Sequence, residues 1–211
     1  MANEEYLERI RQETLERIKQ GVVQWNAWRE RHPRTPPDLR GTDLSKTNLS
    51  GANLHRTDLH EANLSGANLI RVDLSGAEVN AANLSGANLK GADLCDTDLS
   101  GANLSGANLN YAHLHRTNLN EADLSFAELV HARLVSARLH GTNLSNALIS
   151  ETTLANLDFH VVRGLAEVNW NPCPIALHTI QLPQDESALR FLRSVGVPDR
   201  WIDFYYSTLE E

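Results

Sequence analysis

The chain of 211 residues predicts an all-β solenoid, in which short strands wind around one narrow axis. Three observations carry that expectation. Every fifth residue from Leu39 to Phe159 is large and apolar, and Leu fills nearly all of these places, with Val79, Ile149 and Phe159 as the exceptions. Two residues before each stands a small one, as at Ala52, Thr57, Ala62, Ala67, Ala87, Thr97 and Ala107. One residue before is usually Asn or Asp, as at Asn53, Asp58, Asn63 and Asp73. A period of five fits neither the 3.6 of a helix nor the 2.0 of a flat strand. The chain must therefore turn a corner at every pentad and return each Leu to a shared axis.

The segments follow in order. Residues 1–37 are expected to form an amphipathic helix and a Pro-rich linker. Leu7, Ile10, Leu15, Ile18, Val22 and Trp25 fall in one stripe at 100° per residue, which predicts a single helix from about Glu4 to Arg31. Pro33, Pro36 and Pro37 then stop it. A solenoid exposes unpaired backbone and apolar side chains at its ends. The stripe is therefore expected to lie on the first coil, around Leu39 and Leu44, although a partner-binding helix has the same pattern.

Residues 38–160 form the solenoid. In a unit such as Ser65-Gly66-Ala67-Asn68-Leu69, the Leu and the small residue must point inward, because only they are regularly apolar. Gly relieves the corner at positions such as Gly66 and Gly86. The Asn or Asp side chain can satisfy local backbone donors or stack in ladders between coils. The number of sides comes from a longer period. The position after the central Leu is Ser at 45, 65, 85, 105, 125 and 145, which favours four sides, one pentad to each. Leu39 to Phe159 then makes about six coils, roughly 29 Å long at ~4.8 Å per coil.

Residues 161–211 should form an irregular segment and a helical cap. Gly164 to Leu182, with Trp170, Pro172 and Pro174, reads as irregular. A helix starting at Asp185 or Ser187 should run to Val195 and end at Gly196. Pro198 should open another through Trp201, Phe204 and Tyr205. Those three residues would present one aromatic face, larger than the coil end requires. The surplus should either self-associate as a homodimer or dock another domain.

The units Ala52-Asn53-Leu54 and Ala87-Asn88-Leu89-Lys90-Gly91 resemble the pentapeptide-repeat family, over more than half the chain. The resemblance implies a right-handed quadrilateral β-helix of bacterial, cyanobacterial type. Leu15 to Arg29 with Pro37-Asp38-Leu39 resembles a lead-in found before such solenoids. Phe191 to Ile202 resembles a tail that often precedes a Toll/interleukin-receptor-like signalling domain, which is not expected in a sequence ending at Glu211.

Formal charge is −8 and pI about 5.6, which argues against direct nucleic-acid binding. The solenoid carries 8 basic and 14 acidic groups. Cys95 and Cys173 form no metal-spaced pair. The charged N-terminus suggests neither a signal peptide nor a membrane span, so a cytoplasmic location is expected. No nucleophile elbow, P-loop, dinucleotide fingerprint or zinc-ligand set is present, so neither an enzyme nor a cofactor is expected.

Three surface sites stand out. Asp38, Asp58, Glu78 and Asp98 occupy one position on successive coils, with Glu61 and Glu121 on the same face. Local backbone N–H groups should hold these carboxylates, leaving a negative strip suited to a basic protein partner. His113 and Arg133 share a column near His115, Arg116, His131 and Arg138, either an anion-binding patch or a solvated face in which Arg116 pairs with Asp96 and Arg138 with Asp158. His140 and His160 should sit one above the other as solvated imidazoles, too few for a zinc site. Together these features predict a non-enzymatic protein–protein interaction scaffold or adaptor, with Asp58, Glu78, Asp98, Trp201, Phe204 and Tyr205 as candidate partner-binding residues. The alternative is a DNA-mimic modulator or protector of a type II topoisomerase. The resemblance implies a strongly acidic rod with frequent central Phe for that role, and here the centre is almost all Leu.

Overall fold

The computed structural model describes residues 2–170, 180–183, 185–194, 197, 199 and 202. It contains helices α1 (Ala2–Lys19), α2 (Val22–Arg31) and α3 (Glu186–Ser194) and a 3-10 turn, Leu165–Glu167. Six short strands accompany them: β1 (Arg133–Val135), β2 (Leu148–Ile149), β3 (Thr153–Ala155), β4 (Leu157–Asp158), β5 (Asn169–Trp170) and β6 (Ile180–Gln181). Most of the ladder consists of single parallel bridges, each joining an Asn/Asp position to its equivalent four pentads on. Asp38↔Asp58, Asp43↔Asn63, Asn48↔Asn68 and Asn53↔Asp73 begin four such columns, so the coil has four sides.

Each side is held in the same way. Leu49 N–H donates to Asn68 O at 2.8 Å, and Asn68 N–H donates back to Thr47 O at 2.9 Å. At the corner, Ala52 N–H donates to Leu49 O at 3.0 Å across Ser50-Gly51. That turn needs a left-handed residue just before the donating N–H. At every fifth residue from Gly41 to Asn156, φ is positive, between 51° and 71°. Glycine fills only some of these corners; Arg56, Tyr111, Phe126 and twelve other non-glycine residues adopt the same conformation. Inside, the Leu column from Leu39 to Leu129 and its small partners are buried at 0–2 % exposure wherever they are apolar. Thr97 and Thr117 donate their hydroxyls to Leu74 O and Leu94 O, each at 2.8 Å, in the coil below. Outside, Asn68 Nδ2 donates to Asn48 Oδ1 at 3.0 Å while Asn68 Oδ1 accepts from Ile70 N–H at 3.3 Å. The Asn/Asp side chains thus both brace their own turn and link coils.

The N-terminal segment is two helices, not the single one expected. The break falls at Gly21, whose φ of 113° leaves helical space. Ile18 and Trp25 reach the core and Leu15 is 8 % exposed, whereas Leu7 stays exposed. The break lets α2 lie along the open edge of the first coil, on the side of Asn53. Asn53 N–H donates to Asn26 Oδ1 at 2.8 Å, Trp25 Nε1 donates to Asn53 O at 2.7 Å, and Arg29 Nη2 donates to His55 O at 2.7 Å. One coil further on, backbone groups fill these three places. Asp73 N–H donates to Ala52 O, Leu54 N–H donates to Asp73 O, and Arg56 N–H donates to Ser75 O. At the open edge, three side chains stand in for that backbone.

Beyond residue 160 the sequence pattern stops but the ladder continues. Arg163 bridges Asn143, β5 pairs with β2, and β6 pairs with β4, all parallel. The regular one-coil offset of Asn143↔Arg163 grows by one at Leu148↔Asn169 and by three at Leu157↔Ile180. The lengthened offsets hid this continuation from a period-five reading, so the described residues 164–170 and 180–182 are less irregular than expected. α3 then packs Phe191 against Phe159 and Trp170, with ring centroids 5.6 and 4.5 Å away.

Candidate interaction surface

The coil interior is packed solid by Leu, Ala and Thr, so any recognition must use the outer columns. The structure brings the predicted acidic residues together: Asp38, Asp58, Glu78 and Asp98 bridge in succession on one face. Asp38, Asp58 and Asp98 each accept a backbone N–H two residues on, at 2.9–3.2 Å. This is the local bracing expected of an Asx turn. The lower end of the column is also neutralised, which the sequence reading missed. Arg40 contacts Asp38 at 2.8 Å and Asp58 at 3.2 Å, and Arg11 of α1 approaches Asp38 at 3.3 Å. Partial burial pushes the Asp38 carboxyl up, but the hydrogen bonds from Arg40 and Arg11 outweigh it and hold it at about 2. Among the described residues the Glu78 carboxylate has neither an ion pair nor a hydrogen bond, and Asp98 is braced only by Ser100 N–H and Asn118 Nδ2. The unpaired negative charge therefore sits in the middle of the rod.

The basic patch is partly as expected. Asp93, His113 and Arg133 bridge in one column, and Cys95, His113, His115, Arg133 and Val135 line a shallow groove. Arg116 grips Asp96 with two bonds of 2.6 Å, which hold that carboxyl below its ordinary range. Arg138 does not pair with Asp158, contrary to expectation. Asp158 instead accepts from His160 N–H and Nδ1 at 2.9 and 3.1 Å, within its own turn. Here the ladder slips locally, because Gly141 N–H donates to Val161 O instead of the carbonyl of His160. Burial, with Asp93 close by, pushes the Cys95 thiol up to about 11, so it is no thiolate nucleophile. Among the described residues no group of three or more His, Cys, Asp or Glu converges as metal ligands would.

Two exposed aromatic residues of the solenoid escaped the sequence reading. Phe126 is 65 % exposed and Tyr111 50 %. Tyr111 stacks on His131 with centroids 4.7 Å apart, and Lys90 Nζ lies 5.5 Å from its ring centre. Both occupy the corner position that glycine fills elsewhere, and an aromatic in that place points outward from the rod. Trp201, Phe204 and Tyr205 lie outside the described residues, as does Cys173. Of the same segment, Ile202 is buried and Asp199 pairs with Arg193 at 3.0 Å.

A rod with four flat sides, left-handed corners and columns that recur once per coil defines a class, the quadrilateral β-helix. The model for pentapeptide repeats matches in eight copies spanning residues 38–160, and the chain belongs to that family, whose fold is the right-handed quadrilateral β-helix. No catalytic family is indicated by the match.

The chain is similar to HetL, a pentapeptide repeat protein involved in heterocyst differentiation regulation from the cyanobacterium Nostoc sp. strain PCC 7120. The two are 31 % identical over 71 % of this chain and 73 % of HetL, with a TM-score of 0.46. It is also similar to alr5209, a pentapeptide repeat protein from the same organism, at 34 % identity over 46 % of this chain and 80 % of alr5209, with a TM-score of 0.41. Its likeness to QnrB1, a plasmid-mediated fluoroquinolone resistance protein, is 18 % identity over 74 % and 93 % of the two chains, TM-score 0.33. No curated protein matches the chain. Among the described residues no helix is long and apolar enough to cross a membrane.

Proposed function

We propose that this chain is a non-enzymatic, cytoplasmic protein–protein interaction scaffold or adaptor. Its working surface is the outside of a rod of about six coils, closed by helices at both ends. One observation carries the reading: the interior is filled, while charged side chains are set out in exterior columns at one-coil spacing, with Tyr111 and Phe126 exposed at two corners. Such a surface offers no cleft for a reaction and a long flat area for a protein. The partner proposed for Asp58, Glu78 and Asp98 is a basic protein. With wild-type rod immobilised, a salt-sensitive basic partner should be retained from host extract and lost with the D58K/E78K/D98K variant. An unchanged set of retained proteins would sink this assignment.

Trp201, Phe204 and Tyr205 are proposed as a second association face, for a homodimer or for the kind of signalling domain that the tail's resemblance suggests. A W201A/F204A variant should be monomeric if the wild type is a dimer; a wild type that is monomeric at high concentration would reduce this face to capping. A DNA-mimic role at a type II topoisomerase is the weaker reading, since Arg40 and Arg11 already neutralise the lower carboxylates. Inhibition of gyrase supercoiling by the purified rod would restore it.

A further inference from the structure

Two opposite faces of the rod carry opposite charge. The column of Asn48, Asn68, Asn88 and Asn108 lies two sides away from that of Asp58, Glu78 and Asp98. Around the first column, residues 45–51, 65–71, 85–91 and 105–111 contain three cations, Lys46, Arg71 and Lys90, and no carboxylate. Around the second, residues 36–41, 56–61, 76–81 and 96–101 contain six carboxylates and two cations, Arg40 and Arg56, with Arg40 against Asp38 and Asp58 at the lower end. Lys46, Arg71 and Lys90 are all exposed. In a chain of net charge −8, four coils of carboxylate-free surface mark a face with its own complement.

The cations also lie flat. The Lys46 stem crosses Gly66 in the next coil and the Arg71 stem crosses Gly91, each with Cγ 3.6 Å from where a Cβ would stand. Lys90 extends over the Tyr111 ring. Glycine in the neighbouring coil leaves room for the Lys46 and Arg71 stems, which lean along the rod from one coil to the next. On the opposite face the carboxylates of Asp58 and Asp98 are folded back onto their own turns. The carboxylate column repeats once per coil at the strand spacing of ~4.8 Å, and one cation falls on each of three successive coils of the opposite face.

We infer that rods of this protein associate side by side, with the Lys46–Arg71–Lys90 face of one copy against the Asp58–Glu78–Asp98 face of another. A second copy supplies charge of the opposite sign over the same number of coils, three cations on three successive coils against three carboxylates on three. The two faces are different surfaces on opposite sides, so the contact is heterologous and can propagate from copy to copy. The inference rests on reading the exterior of the rod as an interaction surface, and it names a partner for the acidic column.

The test uses purified full-length protein and no other component. Sedimentation velocity across a concentration series should show the average mass rising at least about twofold at roughly 50 mM salt and returning to the starting species at roughly 500 mM. The K46E/R71E/K90E and D58K/E78K/D98K variants should each fail to associate, because each presents two faces of one sign. Mixed in equal amounts, the two variants should associate again. A wild type whose mass does not change with concentration at low salt overturns the inference, as does association that survives either triple reversal or a mixture that stays dispersed with both variants folded by circular dichroism. The W201A/F204A background should retain lateral association, which separates it from any contact through the tail. Capture of a basic protein from extract without self-association would remove this inference and keep the proposed function; self-association without capture would keep both and leave a second copy as the occupant of the acidic column.

Discussion

Replacing Arg29 by Met tests whether α2 substitutes for a missing coil. Arg29 is 4 % exposed, and its guanidinium donates to Thr35 O at 2.8 Å and His55 O at 2.7 Å. Burial lowers its pKa, and the charge of Asp73 partly offsets that. Met keeps much of the apolar stem and removes the donors. The His55 carbonyl belongs to the open edge of the first coil and loses its partner under the helix, which costs about 1–3 kcal/mol. Thr35 is exposed, so water replaces the lost bond at little cost. Relief from burying a guanidinium whose Nε has no partner subtracts from the total. The net expectation is a loss of about 2 kcal/mol.

Because a solenoid's stability is local and nearest-neighbour, that loss should appear first as fraying. Hydrogen–deuterium exchange should speed up at amides of the first coil, Asn53 N–H above all, while Leu99 N–H and the rest of the rod's middle stay protected. Urea unfolding should show the first coil released early. If Arg29→Met leaves the urea midpoint and the Asn53 exchange rate unchanged, the Arg29 bond to His55 does not hold the edge.

Other expectations follow from single residues. Leu89 is fully buried between two Leu-filled coils, so Leu89→Ala should lose about 2–5 kcal/mol in urea unfolding; a loss below ~1 kcal/mol would contradict its burial. Asp38 has a folded pKa of about 2, below its ordinary value of 3.8. A depressed carboxylate contributes stability that is present above the unfolded pKa and is lost as pH falls from about 4 towards about 2. NMR titration should show that low midpoint, and Arg40→Ala should raise it; a midpoint near 4 in the wild type would contradict the Arg40 and Arg11 contacts. Phe126 holds a φ of 60° at an exposed corner. Phe126→Gly should cost nothing or raise stability by up to about 1 kcal/mol, a clear loss in thermal unfolding being the contrary result.

The repeat was legible because it is dictated by one requirement, that each Leu return to the axis. The buried column from Leu39 to Leu129 and the Asn ladders follow from it. The Ser column found the four-pentad coil without any structure, and the pairing of Arg116 with Asp96 followed from the same register. Features that depend on irregular backbone were hidden. Gly21 sits inside a continuous apolar stripe, and only the demands of the coil edge decide that the helix breaks there. The extra residues between Asn143↔Arg163 and Leu157↔Ile180 erase the period while the ladder persists. Asp158 contacts His160 in place of the expected Arg138, at a point where the ladder slips by one residue at Gly141, and pentad spacing registers neither. In the acidic column, same-coil neighbours such as Arg40 mattered as much as the column itself, and spacing alone does not rank them.

The left-handed corners have a consequence for how such a protein can change. Each corner residue points away from the axis, outside the Leu-filled core, and the backbone tolerates Gly, Arg, Glu, Tyr or Phe there with a similar φ. The conformational penalty for a non-glycine residue is about 1–2 kcal/mol, and it depends little on which side chain is chosen. Folding and display are thereby written in separate letters of the same five-letter word. Drift or selection can rewrite the exposed letters one at a time, on a grid of about 4.8 Å along the rod, while the buried Leu and its small neighbour stay fixed. Two rods with the same interior can present unrelated exteriors, and a shared architecture then says nothing about a shared ligand.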